Sequence, residues 1–216
     1  GGMRLVPDLY DTVLQGKVGP LTHESYPKFA VFMGPWDVMS QHFITRDGPT
    51  PGMSSFTRLR LGWIEDRQVV DITPGENRAV TLAPLGDGRG TLVVRIPGRW
   101  GSYYLLETRQ IAPSDPVLPS AGLIVLQVDE SKDDGDGIVQ VENANPKVPA
   151  FGAAAFGVGP GQTPSVKLAR DVAVEVLWRE GKNLTVMVTG SSQAAAIQSV
   201  AKRIRETEDN LQERSS

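Results

Sequence analysis

Asp171–Thr189, DVAVEVLWREGKNLTVMVT, reads as two strands around a tight turn. Apolar residues alternate through Asp171–Trp178 and again through Asn183–Thr189, the period-two pattern of half-buried β-structure. Arg179-Glu180-Gly181-Lys182 between them supplies the turn of a hairpin. Working outward, Gly122–Val128 (GLIVLQV) is apolar enough for a central strand. Ser102–Leu106, Ala79–Ala83, Thr91–Ile96 and Ile138–Val141 add further β segments, separated by turns such as Gly86-Asp87-Gly88. The chain of 216 residues carries 23 Gly and 16 Pro; that much punctuation is incompatible with a helix bundle, whose interiors both residues weaken. The expected fold is mainly β: a β-sandwich of about seven to ten strands over residues 66–190.

Residues 1–65 have a different texture. Gly19-Pro20, Gly34-Pro35, Gly48-Pro49 and Pro51-Gly52 leave little room for regular structure. The exception is Ser54–Trp63, SSFTRLRLGW. Here Ser54 or Ser55 caps a short helix, Phe56, Leu59 and Trp63 share a face, and Gly62 suits the C-terminus. An irregular N-terminal subdomain with one short helix is therefore expected. Residues 191–216 change character again. Ile197, Val200, Ala201, Ile204 and Leu211 recur at helical spacing among charged residues. This predicts a C-terminal amphipathic helix, either docked on the sandwich or paired with a partner helix in a homo-oligomer.

Composition narrows the chemistry. With no cysteine, disulfides, Cys-type zinc sites and thiol catalysis are excluded. A net charge of −3 offers no basic field, so nucleic acid is not an expected partner. The longest apolar run, Ala121–Val128, is strand-sized and far short of the roughly 20 residues that span a bilayer. The first residues lack the charged and apolar regions of a signal peptide. Neither a nucleophile elbow nor a Walker lysine is present. The loop Asp129–Gly137, DESKDDGDG, is the best calcium candidate, through Asp129, Asp133, Asp134 and Asp136, because calcium takes about six to eight hard oxygens. Its competing reading is a solvated hairpin turn. Glu107 and Arg109, two residues apart on one strand face, read as ordinary strand decoration. His23 and His42, the only two histidines, offer an alternative metal site with a carboxylate.

Six words stand in order: PDLYDT (Pro7–Thr12), GPWDVMS (Gly34–Ser40), FTRLRLGWI (Phe56–Ile64), YYLLETRQ (Tyr103–Gln110), DPVLP (Asp115–Pro119) and GLIVLQVDE (Gly122–Glu130). This series resembles the M6 family of secreted zinc metallopeptidases, the immune inhibitor A type, over about residues 5–130. In that family an HExxH zinc helix runs into a PDLYD-like segment, followed by a G-x-W-D-x-M-S turn and a helix ending in LGW. The resemblance implies a secreted or extracytoplasmic protein acting on protein or peptide substrates. It makes Asp8 the match for a third, carboxylate zinc ligand, and Trp36, Asp37 and Met39 the parts of a Met-turn that supports the site from below.

The departure from the family is equally specific. HExxH needs two imidazoles one helical turn apart, plus a glutamate to activate water. His23 and His42 are 19 residues apart and neither fits. One carboxylate does not retain a catalytic zinc. The chain is thus expected to correspond to the downstream part of such a peptidase and to be inactive as a protease alone. Two alternatives stand beside this: a β-sandwich module binding protein or carbohydrate through exposed aromatics such as Trp100, Tyr103 or Trp178, and a hydrolase using His23, His42 and a carboxylate.

Overall fold

The computed structural model describes residues 6–14, 30–40, 49–73, 75–169 and 171–213, with the side chains of the last helix described as far as Thr207. Nine strands form two sheets: β1 (Val69–Asp71), β2 (Arg78–Leu82), β3 (Val93–Pro97), β4 (Tyr103–Arg109), β5 (Gly122–Val128), β6 (Val139–Val141), β7 (Ser165–Leu168), β8 (Val172–Glu180) and β9 (Asn183–Gly190). The first sheet runs β1-β3-β4-β5-β6 and the second β2-β9-β8-β7. All neighbours are antiparallel except β1 and β3. The expected mainly β, sandwich-like architecture is what the chain adopts.

Period-two alternation decides how the layers meet. Val94, Ile96, Tyr104, Leu106, Leu123 and Val125 turn one face of the first sheet toward Val80, Leu82, Val174, Val176, Val186 and Val188 of the second, and together they form a buried core. The intervening residues Val93, Leu105, Ile124, Leu126 and Val128 face the other way. They bury a second cluster with Leu9, Met33, Trp36, Phe56 and Ile64 from the N-terminal region. The first sheet is therefore covered on both faces, which explains why β5 has almost no polar residue. The described N-terminal segments pack as a third layer over it.

That layer is organised by helix α1 (Ser55–Leu61). The Ser54 hydroxyl accepts from Thr57 N at 3.5 Å, and Gly62 closes the helix at φ +73°. Phe56 is buried and Leu59 packs beside it, while Trp63 stays 63% exposed. Trp63 departs from the expected apolar face because it follows the left-handed Gly62, which swings the chain off the helical repeat.

Helix α2 (Ser191–Glu213) follows β9 directly and lies on the outer face of the second sheet. Ala194 and Ala201 are buried there, and Arg205 Nη1 donates to the carbonyls of Val176 and Leu177 at 2.9 and 3.3 Å. The extra residue of a β-bulge between Val176 and Trp178 breaks the ladder where those carbonyls turn outward to the guanidinium. Under the helix, Glu175 is 3% exposed and its carboxylate lies 3.6 Å from Arg205. Burial raises its pKa above the usual carboxylate range, and Arg205 offsets that only in part.

A raised folded-state value means this group favours folding below its unfolded value, about 4.3. That contribution is lost as pH rises through the folded value. Glu175→Gln is accordingly expected to leave stability at neutral pH unchanged or slightly higher and to flatten its acid dependence. Arg205→Ala, which strands the carboxylate, is expected to cost about 1–3 kcal/mol. Urea titrations at several pH values check both.

Candidate functional site

The polar centre of the molecule lies between β4 and the N-terminal layer. Glu107 and Arg109 fall on the face of β4 that carries Leu105, and both are within 1% of complete burial. Arg109 uses all five of its N–H donors. Nε and Nη2 donate to Asp115 Oδ2, the former at 2.8 Å; Nη1 donates to Trp36 O at 2.8 Å and Glu107 Oε1 at 3.0 Å; Nη2 also donates to Gly52 O at 3.1 Å. Burial works against its charge, yet Glu107 and Asp115 outweigh that and hold the guanidinium above its ordinary pKa.

The carboxylates are equally committed. Glu107 Oε2 accepts from Ser55 N at 2.6 Å, at the first turn of α1, and Asp115 Oδ1 accepts from Gly52 N at 2.8 Å. Asp37, fully buried, accepts from Met39 N at 2.8 Å, Ser54 N at 2.7 Å and Thr57 Oγ1 at 2.7 Å. Arg58 closes the cluster by donating to Met53 O and Leu85 O at 3.0 and 2.8 Å. Burial lowers its pKa, against the pull of Glu107, and Arg109 lowers it further. Three carboxylates and two guanidiniums thus clamp the 34–40 turns and the start of α1 onto the first sheet. With these donors and acceptors consumed internally, the clamp positions backbone and is not arranged for proton transfer.

The turn containing Trp36, Asp37 and Met39 sits directly on this clamp. Trp36 is fully buried and its Nε1 donates to Phe151 O at 3.1 Å, while Ser40 Oγ bonds the carbonyls of Gly34 and Asp37. Gly34, at φ +52°, lies so close to the Phe151 ring that a Cβ would meet it at 2.8 Å. Met39 packs against the core cluster.

Asp8 is drawn to the same place, because Leu9 N donates to Met39 O at 3.0 Å. Its carboxylate accepts from Tyr10 Oη at 3.2 Å. Burial, then the Asp8 charge, raises the Tyr10 phenol above its ordinary pKa.

The acidic loop lies against this segment. Gly135 N donates to Asp8 O at 3.1 Å and Thr12 N donates to Gly135 O at 3.3 Å. Asp129 directs its carboxylate to Ser131 N and Oγ at 3.1 and 2.6 Å, and these bonds hold its pKa below the ordinary value. Asp133, Asp134 and Asp136 are exposed. Among the described residues, no three His, Asp or Glu side chains gather into a group that would hold a metal. Asp8 by itself does not make a zinc site, and His23 and His42 lie outside the described residues.

Of the aromatics weighed for binding, only Trp100 stands in the open, 92% exposed at the β3–β4 turn. Tyr103 and Trp178 are half-buried. A shallow pocket of about 430 Å³ beside that turn is lined by Asp71, Arg95, Tyr103 and Glu130 among others. Its polar groups pair with each other, Arg95 with Asp71 at 2.6 and 3.0 Å and Tyr103 Oη with Glu130 at 2.6 Å.

Glu107 and Arg109 depart from the ordinary strand decoration expected of them, because both are buried at the centre of the clamp, and Asp115 and Ser55, which complete their network, carry no sequence signal for that role. Asp115 was visible only as part of a proline-flanked turn, and nothing in its spacing says it folds back on Arg109. No family model matches the chain, and neither the curated proteins nor the solved structures contain a match. No helix among the described residues is long and apolar enough to cross a membrane.

Proposed function

We propose that the chain is the non-catalytic downstream portion of a secreted zinc metallopeptidase of the M6 type, a scaffold that supports a zinc helix from below. The observation that carries this reading is the bond from Leu9 N to Met39 O. It joins the PDLYD word to the GPWDVMS word, the two segments that in the resembling family lie beside and beneath the metal. Asp37 and Trp36 then serve as the rigid floor, fixed through the Arg109 clamp. In this reading Asp8 would become a third ligand once two imidazoles are supplied, and zinc chemistry would belong to that larger assembly. The acidic loop supports the reading in a different way: Gly135 bonds to Asp8 O and to Thr12 N and so sets the path of that segment.

The test has two parts. The purified 216-residue chain is expected to contain no stoichiometric zinc and to leave casein uncleaved. Chelator-sensitive cleavage by this chain would overturn the proposal. A chain extended upstream through its own coding sequence is expected to contain HExxH, to bind one zinc and to lose most of that zinc on Asp8→Ala. If the upstream sequence encodes no zinc helix, the binding-module reading gains instead, with Trp100 as its anchor.

A further inference from the structure

The first sheet runs past the edge of the layer that covers it. Val93 and Leu105 are buried under the N-terminal segments. Two residues along the same strands, and so on the same face, stand Arg95 and Tyr103. Arg95 lies opposite Asp71 in the β1–β3 register, and the pair is bidentate, Nε to Oδ1 at 2.6 Å and Nη2 to Oδ2 at 3.0 Å. Tyr103 Oη donates to Glu130 Oε1 at 2.6 Å, and Arg60 of α1 donates to Glu130 Oε2 at 3.2 Å. Asp71, Arg95, Tyr103 and Glu130 line the pocket of about 430 Å³, a volume within the range of small-molecule sites.

The β3–β4 turn adds Gly98, Gly101 and Ser102 to the wall of this pocket. It is closed by Gly98 N donating to Ser102 O at 2.7 Å and Ser102 N to Arg99 O at 3.0 Å, and Ser102 Oγ donates to Arg99 O at 2.7 Å. Its central residues, Trp100 and Gly101, are both left-handed, at φ +50° and +84°, as a type I′ turn requires. Such a turn favours Asn, Asp or Gly at the first of these positions. A tryptophan there is disfavoured by its backbone, and at 92% exposure it gains nothing from burial. Trp100 therefore does not serve folding. A fully bonded turn holds its ring in solvent next to a polar pocket.

We propose that this pocket binds a neutral carbohydrate, with Trp100 as the stacking platform and the Asp71–Arg95 and Tyr103–Glu130 pairs as the polar floor. A pyranose has a face of C–H groups that stacks on an indole and a rim of hydroxyls that each donate one hydrogen bond and accept others. Asp71 and Arg95 offer both functions side by side. Nη1 of Arg95 is unused among the described residues and the carboxylate keeps open lone pairs, so neighbouring hydroxyls donate to one partner while accepting from the other. Burial, then the bond to Glu130, raises the Tyr103 phenol above its ordinary pKa and keeps its proton in place. Asp71 and Glu130 are matched by Arg95 and Arg60, which leaves no surplus cation to attract an anionic ligand. A protein partner is disfavoured, because Gly98, Arg99, Gly101 and Ser102 surround Trp100 without an apolar patch of interface size. The site is independent of the peptidase reading, since neither Asp8 nor Met39 takes part.

Affinity electrophoresis of the intact chain, in gels cast with a mannan, a galactan, a β-glucan or a xylan, tests the site. At least one of these neutral polysaccharides is expected to retard the protein, with a dissociation constant in about the micromolar to millimolar range. Trp100→Asn should abolish the retardation and raise the melting temperature, because asparagine suits the left-handed position. A tryptophan kept for structure alone would move the melt in the opposite direction. Trp100→Phe retains an aromatic face and should keep binding at roughly three- to tenfold lower affinity. Arg95→Met should weaken it roughly tenfold, with far-UV circular dichroism unchanged. Failure of all four polysaccharides to retard the chain would overturn the proposal, as would retardation that survives Trp100→Asn. Retardation by heparin alone would overturn the assignment to a neutral sugar. Trp100-dependent capture of displayed peptides, with no glycan bound, would give the surface to a protein and overturn it equally.

Discussion

Arg109→Met is expected to destabilise the protein by about 3–5 kcal/mol, the range for breaking a buried ion pair from one side. The substitution keeps most of the side-chain volume but removes five N–H donors. Glu107 and Asp115 are then left buried without their ion-pair partner, with only the more distant Arg58 to offset their charge, and the carbonyls of Trp36 and Gly52 lose their donors. Two carboxyls in that position must take up protons to remain folded, so the variant should lose most at neutral pH and recover toward acid. Urea denaturation followed by the fluorescence of tryptophan, with Trp36 buried at the clamp, reports the change directly.

The triple variant Arg109→Met, Glu107→Gln, Asp115→Asn is the sharper comparison. It is expected to be less damaged than the single variant, because neutral amides remove the stranded charges. A single variant as stable as the parent would mean that solvent reaches the clamp and that the N-terminal layer is not anchored there.

Such a clamp also shows what a linear sequence conceals. The hairpin of β8 and β9 is legible because alternation and a glycine-bearing turn are local signals, and β5 is bounded as its apolar run suggests. The short strands β1 and β7 are not legible: three or four residues such as Val69–Asp71 or Ser165–Leu168 are too few to show a period, and their pairing with β3 and β8 is a tertiary choice. Helix α1 follows its caps, yet the partner of its first turn, Glu107, is 52 residues away. The apolar stripe of the C-terminal helix includes Ala201, and the docking face is completed by the equally small Ala194; both contribute little to an apolar pattern but permit close approach, and so Val200 and Ile204 are left outward. The PDLYD and GPWDVMS words are legible in the sequence, but their approach at Leu9 and Met39 depends on a backbone bond that no residue type announces.

The second large effect is expected at Gly122, which opens β5 opposite Arg109 in the β4–β5 register. Its φ is +154°, and a Cβ built there would meet the carbonyl oxygen of Phe156 at 2.4 Å. That oxygen accepts from Leu123 N at 2.8 Å, and Phe156 N returns a bond to Leu123 O at 2.8 Å. The obstruction is therefore backbone held on both sides, and no rotamer change relieves it. Gly122→Ala must displace either the Leu123–Phe156 bridge or the end of β5, and the latter shifts the strand that positions Arg109. A loss of about 3 kcal/mol or more is expected from such backbone strain combined with a disturbed buried network. Gly62→Ala supplies the contrast. Gly62 has φ +73° with nothing within 4 Å of the added carbon, so only the left-handed conformation is penalised, about 1–2 kcal/mol. Thermal melts of the two variants should separate steric closure at Gly122 from conformational preference at Gly62. Equal losses would mean that the approach of Phe156 to β5 does not hold the sheet end in place, and that the Arg109 clamp rests on the N-terminal layer alone.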